Sequence, residues 1–335
     1  MKMNRLIPAL IILILIGLIV FIIKIPSILW NESITTSHPQ DLRNYSYHFA
    51  MIIHNTEDNY WQKVYSGASD VAGKENAALE YYSSRFLNLK ELERFLEMAV
   101  LSSVDGLLIS VPDKPEFRSL LNEAVAKGIP VVTFSGSIED SRFSDVGISI
   151  YDLGYKSGMA LHKAVHTKVK AAVLINSNFS VTSYNNYLKG FRAAIQDYPH
   201  IGLELVINSK GESISAEEQT QYLLKNHPEI QAIICTDPND TLGVAKVVVD
   251  LNQVSQVTII GSGLTDDIMN YIKLGVIRGV LVSNPYELGA RGVSTLLRIK
   301  KGQAQGRNIL PLVLAEVGNV EQVYNNLLKP KRGFQ

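Results

Sequence analysis

The sequence has almost no cysteine: Cys235 is the only one in 335 residues. That excludes an internal disulfide, a Cys-rich zinc site and an iron–sulfur cluster as organising features, so the fold stands on packing alone. Net charge is missing too. Lys plus Arg and Asp plus Glu number 32 each, which leaves no basic field to hold a polyanion, and no nucleic-acid partner is expected. The motifs of common catalysis are absent: no G-x-S-x-G, H-E-x-x-H, G-x-x-x-x-G-K-[ST] or C-x-x-C occurs, and no enzyme activity is expected. His162 and His166 stand four apart on an expected helix, yet no third ligand is evident nearby, so an exposed helix face is favoured over a metal site. Gly261-Ser262-Gly263 lacks the remaining glycine and the acidic residue of a dinucleotide site and reads as a tight strand-to-helix turn. No metal and no cofactor are expected. Cys235, inside an apolar strand, reads as a small buried hydrophobe.

What is present is unevenly spread. Leu6 to Ile23 runs without a charge, about 27 Å of helix at 1.5 Å per residue, close to the thickness of a bilayer core. A transmembrane anchor is expected over 6–30. A cleaved signal peptide should have a shorter apolar run ending in a small-x-small site, whereas IKIPSILW follows here, so retention is favoured. Lys2 and Arg5 precede the run, and beyond Lys24 the next basic residue is Arg43. This bias places the N-terminus in the cytoplasm and the bulk of the protein outside the cell membrane. Residues 31–44 read as a solvated linker.

From Tyr45 onward, short apolar runs alternate with amphipathic stretches, which is the rhythm of βαβ units. Strands are expected at His48–His54, Ala78–Tyr82, Gly106–Val111 and Ile129–Phe134, then at Ala171–Asn176, Leu203–Ile207, Ala232–Cys235 and Val257–Ile260. Near-continuous apolarity suits parallel sheets covered on both faces. Trp61, Val64, Tyr65, Ala68, Val71 and Ala72 form one helical stripe, and Leu92, Phe95, Leu96, Ala99 and Val100 another. The chain closes with a strand at Arg278–Val282, a helix at Pro285–Lys301, a strand at Pro311–Glu316 and a helix near Val320–Leu328. The expected fold class is α/β: two doubly wound parallel-sheet lobes joined by a multi-strand hinge and preceded by one transmembrane helix. Doubly wound sheets bind ligands beyond the carboxyl ends of their strands.

Those ends carry small polar groups. After the first strand come His54, Asp58, Tyr60 and Trp61; after the others come Ser110, Ser135, Asp237 with Asn239, Ser262 and Asn284. Amides and carboxylates that bond hydroxyls, with a flat ring against an apolar sugar face, are the equipment for a neutral polyol. The same residue types cap helices that follow such strands, and for any one of them the two readings stand side by side.

Several phrases, in order and at their spacing, carry a resemblance to a known family. They are Asn59-Tyr60-Trp61 with Ser66-Gly67-Ala68, then Asp105 to Ser110, Lys127-Gly128-Ile129-Pro130-Val131-Val132, Lys189-Gly190-Phe191, Leu242-Gly243-Val244-Ala245 and Asn284-Pro285-Tyr286-Glu287-Leu288-Gly289. The chain from about Tyr45 to Lys329 resembles the type I periplasmic sugar-binding proteins of the ribose, xylose and galactose kind. The resemblance implies that Tyr60 and Trp61 stack on a sugar while Asp58, with His54 behind it, bonds hydroxyls. It also implies hinge strands near Asp145–Ser149, Leu281–Asn284 and Asn308–Pro311. The N-terminal lobe is then expected over 45–147 plus 284–310, and the C-terminal lobe over 148–283 plus 311–329.

The chain departs from the family pattern at three anchors. Relatives often carry Asp-Arg where Ser135-Gly136 stands, Arg where Asn185 stands, and an Asp where Gly261-Ser262-Gly263 runs, although Asp237 is near the usual Asn-Asp position. Bidentate charged bonds are stronger than neutral ones, so the site either binds weakly, binds a different small ligand, or does not bind. The membrane-anchored arrangement resembles the xylose-sensing binding proteins that partner a sensor histidine kinase, since a short N-terminal tail leaves signalling to a second protein. The alternative partner is the permease of an ABC-type sugar importer.

Overall fold

A computed structural model describes residues 44–53, 59–84, 88–135, 138, 140–176, 179–210, 212–303 and 306–327, all within one compact unit. The expected anchor, and nearly all of the linker after it, lie outside the described residues. Among the described residues, no helix is long and apolar enough to cross a membrane.

The first half runs β1 (Tyr47–Ile53), α1 (Asn59–Lys74), β2 (Ala77–Ser83), α2 (Leu89–Leu101), β3 (Gly106–Ser110), α3 (Pro115–Ala126), β4 (Val131–Phe134) and β5 (Ser144–Gly147). The second runs α4 (Ile150–Ala164), β6 (Val169–Asn176), α5 (Val181–Ile195), β7 (Ile201–Ser209), α6 (Ser213–Asn226), β8 (Ile230–Cys235), α7 (Pro238–Asp250), β9 (Thr258–Ser262), α8 (Asp266–Lys273) and β10 (Gly279–Val282). The chain ends with α9 (Pro285–Lys300), β11 (Arg307–Ile309), β12 (Val313–Glu316) and α10 (Val320–Leu327).

Local chemistry sets many of the boundaries. Asn88, Ser149, Ser180, Asp237, Thr265 and Asn284 each accept a backbone N–H in the first turn of the helix that follows them, satisfying donors that an uncapped helix would leave open. Proline opens α3, α7 and α9, where its missing N–H costs nothing. Gly128, at φ +74°, turns the chain out of α3 toward β4.

The strands form two six-stranded sheets, ordered β11-β5-β4-β3-β1-β2 and β12-β10-β9-β8-β6-β7. Replacing β1–β5 by β6–β10 and β11 by β12 turns one order into the other, so the chain carries the same doubly wound plan twice. One difference breaks the repeat: β11 runs parallel to β5, while β12 runs antiparallel to β10. The backbone passes between the sheets three times, at 147–150, 282–285 and 309–313.

Each sheet is sandwiched between two apolar clusters. One face of the first sheet meets Phe95, Leu96 and Phe117, and the other meets Val64, Val293 and Leu296. In the second sheet Val244 and Val248 lie on one side, and Tyr187 and Phe191 on the other. Helix pairs close tightly over these cores. A methyl added at Gly289 would overlap the Val64 carbonyl and one at Gly67 the Tyr286 carbonyl, so α1 and α9 touch backbone to backbone. Gly154 and Gly190 make the equivalent contact between α4 and α5.

The helix expected to carry His162 and His166 stops at Ala164, and Val165 is extended. The two imidazoles therefore do not share a helical face. His162 instead stacks on Tyr198 with ring centroids 3.5 Å apart, beside His200 at 5.6 Å. The expected exposed face is an aromatic cluster, because the ring finds flat apolar partners in the turn before β7.

Candidate functional site

Parallel pairing aligns the strand tips. Ile53, the last residue of β1, pairs with both Ser83 and Ser110, so these three strand ends are level. His54 and Asp58 lie outside the described residues. Tyr60 and Trp61 open α1 on the same side, both partly buried, with rings edge to face and centroids 5.4 Å apart. Trp61 also packs on Phe134, the last residue of β4, at 5.9 Å. Ser135 is exposed, with φ +54°, and its N–H is held by the Val146 carbonyl at 2.9 Å. Ser110 is buried at the end of β3. The first sheet thus brings Tyr60, Trp61, Ser110 and Ser135 to one edge.

The second sheet gathers another group. Asp237, just beyond β8, uses Oδ1 to accept the Asn239 N–H at 2.8 Å and Oδ2 to accept from Asn176 Nδ2 at 2.9 Å. It is both a helix cap and the partner of a strand-tip amide, so the two readings of such a residue are not exclusive. Thr241 Oγ1 donates to the Asp237 carbonyl at 2.8 Å and accepts the Ser262 N–H at 3.2 Å, tying α7 to the end of β9. Ser262 is buried at the end of β9, where only its backbone meets Thr241. Asn239 is exposed on the first turn of α7. Asn284 caps α9, its Oδ1 accepting the Glu287 N–H at 3.2 Å. Asn185 is exposed on α5 and belongs to neither set of contacts.

Two residues outside the sequence-derived set stand at this edge. Asn176 ends β6 and orients the Asp237 carboxylate; its place at a strand tip was the available signal. Asp240 is wholly buried, accepts from Ser209 Oγ at 2.5 Å, and is pushed up to about 7 by burial, with the bond from Ser209 opposing and the charge of Asp237 adding. In sequence it looks like an ordinary first-turn acid. Cys235, beneath it in β8, is fully buried as expected, and burial also pushes its thiol up.

Donors and acceptors of this kind can bond hydroxyls, and rings such as Tyr60 and Trp61 can cover an apolar face; among the described residues these groups include no nucleophile–base pair. Residues 49–304 match the model of the periplasmic binding protein domain. The chain belongs to the periplasmic binding protein family. Its type I fold, two α/β lobes built on parallel sheets, is the one described above. Among curated proteins, it is 23% identical over 267 residues to the ABC transporter periplasmic-binding protein YphF of Escherichia coli, spanning 75% of this chain and 80% of YphF. Among solved structures, GanP, a glucose-galactose binding protein from Geobacillus stearothermophilus, superposes with a TM-score of 0.76 at 28% identity, over 82% of this chain and 98% of GanP. The XylFII–LytSN complex superposes with a TM-score of 0.71 at 24% identity, over 81% of this chain and 98% of that one.

Proposed function

We propose that this protein is an extracytoplasmic receptor that captures a small sugar between two lobes, spanning 45–147 plus 284–310 and 148–283 plus 311–329. The observation that carries the reading is that each sheet gathers polar side chains at the carboxyl ends of its strands, the first with the Tyr60–Trp61 pair and the second with Asp237 and Asn176. In this reading Trp61 and Tyr60 cover an apolar sugar face, while Asp237, held by Asn176, accepts sugar hydroxyls. Ser110, Ser135, Asn185, Asn239, Ser262 and Asn284, with His54 and Asp58, complete the candidate set. The missing charged anchors favour a small neutral pentose or hexose held mainly by neutral bonds.

The apolar run at 6–23 is the proposed anchor, leaving the lobes outside the cell membrane. The named assembly of XylFII with LytSN supports a signalling partner, a sensor histidine kinase, to which lobe closure would report. A second reading, the solute receptor of an ABC-type importer docked on its permease, has its support in the name of YphF. The test of sugar capture is a thermal-shift panel of pentoses and hexoses on the full-length chain. A bound sugar at about 100 times its Kd adds about 2.7 kcal/mol to the folded state and raises Tm. A panel in which no member raises Tm would remove the reading.

A further inference from the structure

Asp240 is an acid at the sheet edge whose surroundings only half support its charge. It sits in the first turn of α7 with no exposed surface. Oδ2 accepts from Ser209 Oγ, the last residue of β7, and Oδ1 meets no hydrogen-bond donor among the described residues. Asp237, three residues earlier, has a donor on each oxygen, one from Asn239 and one from Asn176. Two carboxylates in one helical turn, one supplied with donors and the other half-supplied and dry, divide their roles: the first stays ionised and the second favours its proton. The titratable groups facing Asp240 are Asp237 on its own helix and the Cys235 thiol on β8. On α6, Glu217 is occupied by Lys246 of α7 at 3.0 Å. Ser209 supplies the contact from β7, and Thr241 and Ser262 link the same turn to β9.

We propose that Asp240 is a proton-operated switch beneath the N-terminus of α7: protonated, it holds the first turn of that helix against β7 and keeps Asp237 in place, and ionised, it loosens both. Losing the proton leaves a buried charge with Ser209 as its one side-chain donor and a second carboxylate nearby, and the relief open to it is for the first turn to lift and admit water. This regulation rests on the reading of Asp237 as a sugar-bonding group. Sugar affinity then falls as the external pH rises through neutrality.

The sign for stability follows from linkage. Between about pH 4, where Asp titrates in the unfolded chain, and about pH 7, the folded state holds a proton that the unfolded state lacks. Stability from this group is present on the acid side, declines across that window and is constant above it. Thermal unfolding of the full-length chain from about pH 5 to about pH 9, without sugar, tests the proton itself. The wild type is expected to lose Tm across the window relative to Asp240→Asn, which keeps the shape and removes the titration. Ser209→Ala removes a donor that favours the charged form and should move the inflection to higher pH. Parallel profiles for wild type and Asp240→Asn overturn the proposal; if that variant fails to fold, an unmoved inflection in Ser209→Ala overturns it. With the best sugar from the panel, wild-type affinity should fall at least about fivefold between about pH 6 and about pH 8 while Asp240→Asn stays level. A level wild type overturns the coupling to Asp237. A panel without any binder sinks the receptor reading alone, and the sugar-free profiles still decide Asp240.

Discussion

The proposed site would give Trp61 two tasks, packing and stacking, which one substitution tests. Its ring is partly buried on Phe134 and partly presented beside Tyr60 at the strand tips. Trp61→Ala should weaken the best sugar by about 1–3 kcal/mol in calorimetric titration, and also lower the sugar-free Tm because the Phe134 contact is lost. A lower Tm with unchanged affinity would place the ring wholly in the core. Asp237→Asn is the complementary case: Asn caps helices as well as Asp, so sugar-free stability should move by under about 1 kcal/mol, whereas a charged bond to a hydroxyl is worth about 1.5–3 kcal/mol and affinity should fall accordingly. Unchanged affinity would make Asp237 a cap and nothing more. Asp237 was legible in the sequence because it follows an apolar strand and precedes a helix. Asp240 was not, because its meaning comes from Ser209, which lies 31 residues earlier and is brought in by the β7–α6 connection.

At the scale of elements, the helix pairs set the shape of each lobe, and glycine decides how closely they approach. Gly289→Ala places a methyl on the Val64 carbonyl, backbone that cannot swing aside, so the α1–α9 crossing must open; a loss of about 1–3 kcal/mol in urea unfolding is expected. Gly73, also within α1, has nothing within 4 Å of such a methyl. Gly73→Ala should stabilise by about 0.5–1 kcal/mol through helix propensity and a less free unfolded chain. Opposite signs from the same kind of substitution on the two helices of one pair check the packing rather than the propensity. The strands at 48–54, 78–82, 106–111 and 171–176 were legible because helices cover both sheet faces, which demands unbroken apolar runs. β5, with the sequence SDVG, and β11, three residues that are mostly exposed, carry no such run. β11 is the border strand, where packing asks less of the side chains, and β5 beside it is only four residues with one large apolar side chain, so periodicity could not find them.

For the molecule as a whole, the two sheets have separate cores. Members of the clusters around β1–β5 do not recur in those around β6–β10, apart from Ile148, which lies in the first crossing and packs against both. Among the described residues, three short crossings and one shared apolar side chain make a slender bridge between two bodies that each bury their own apolar surface. Chains built this way commonly depart from two-state unfolding. Guanidinium unfolding followed by tryptophan fluorescence, where Trp61 reports the first lobe, and by far-ultraviolet circular dichroism, which reports both, should therefore give curves that do not coincide without sugar. A ligand that bonds groups on both lobes stabilises only the state in which both are folded, so a saturating sugar should draw the two curves together and raise the earlier midpoint more than the later one. Ile148→Ala should widen the gap in the sugar-free chain, because it removes the one side chain that packs against both cores. Coincident curves without sugar would mean that the crossings couple the lobes more strongly than the segregation of their cores predicts, and closure on a ligand would then need a rearrangement inside a lobe rather than between two.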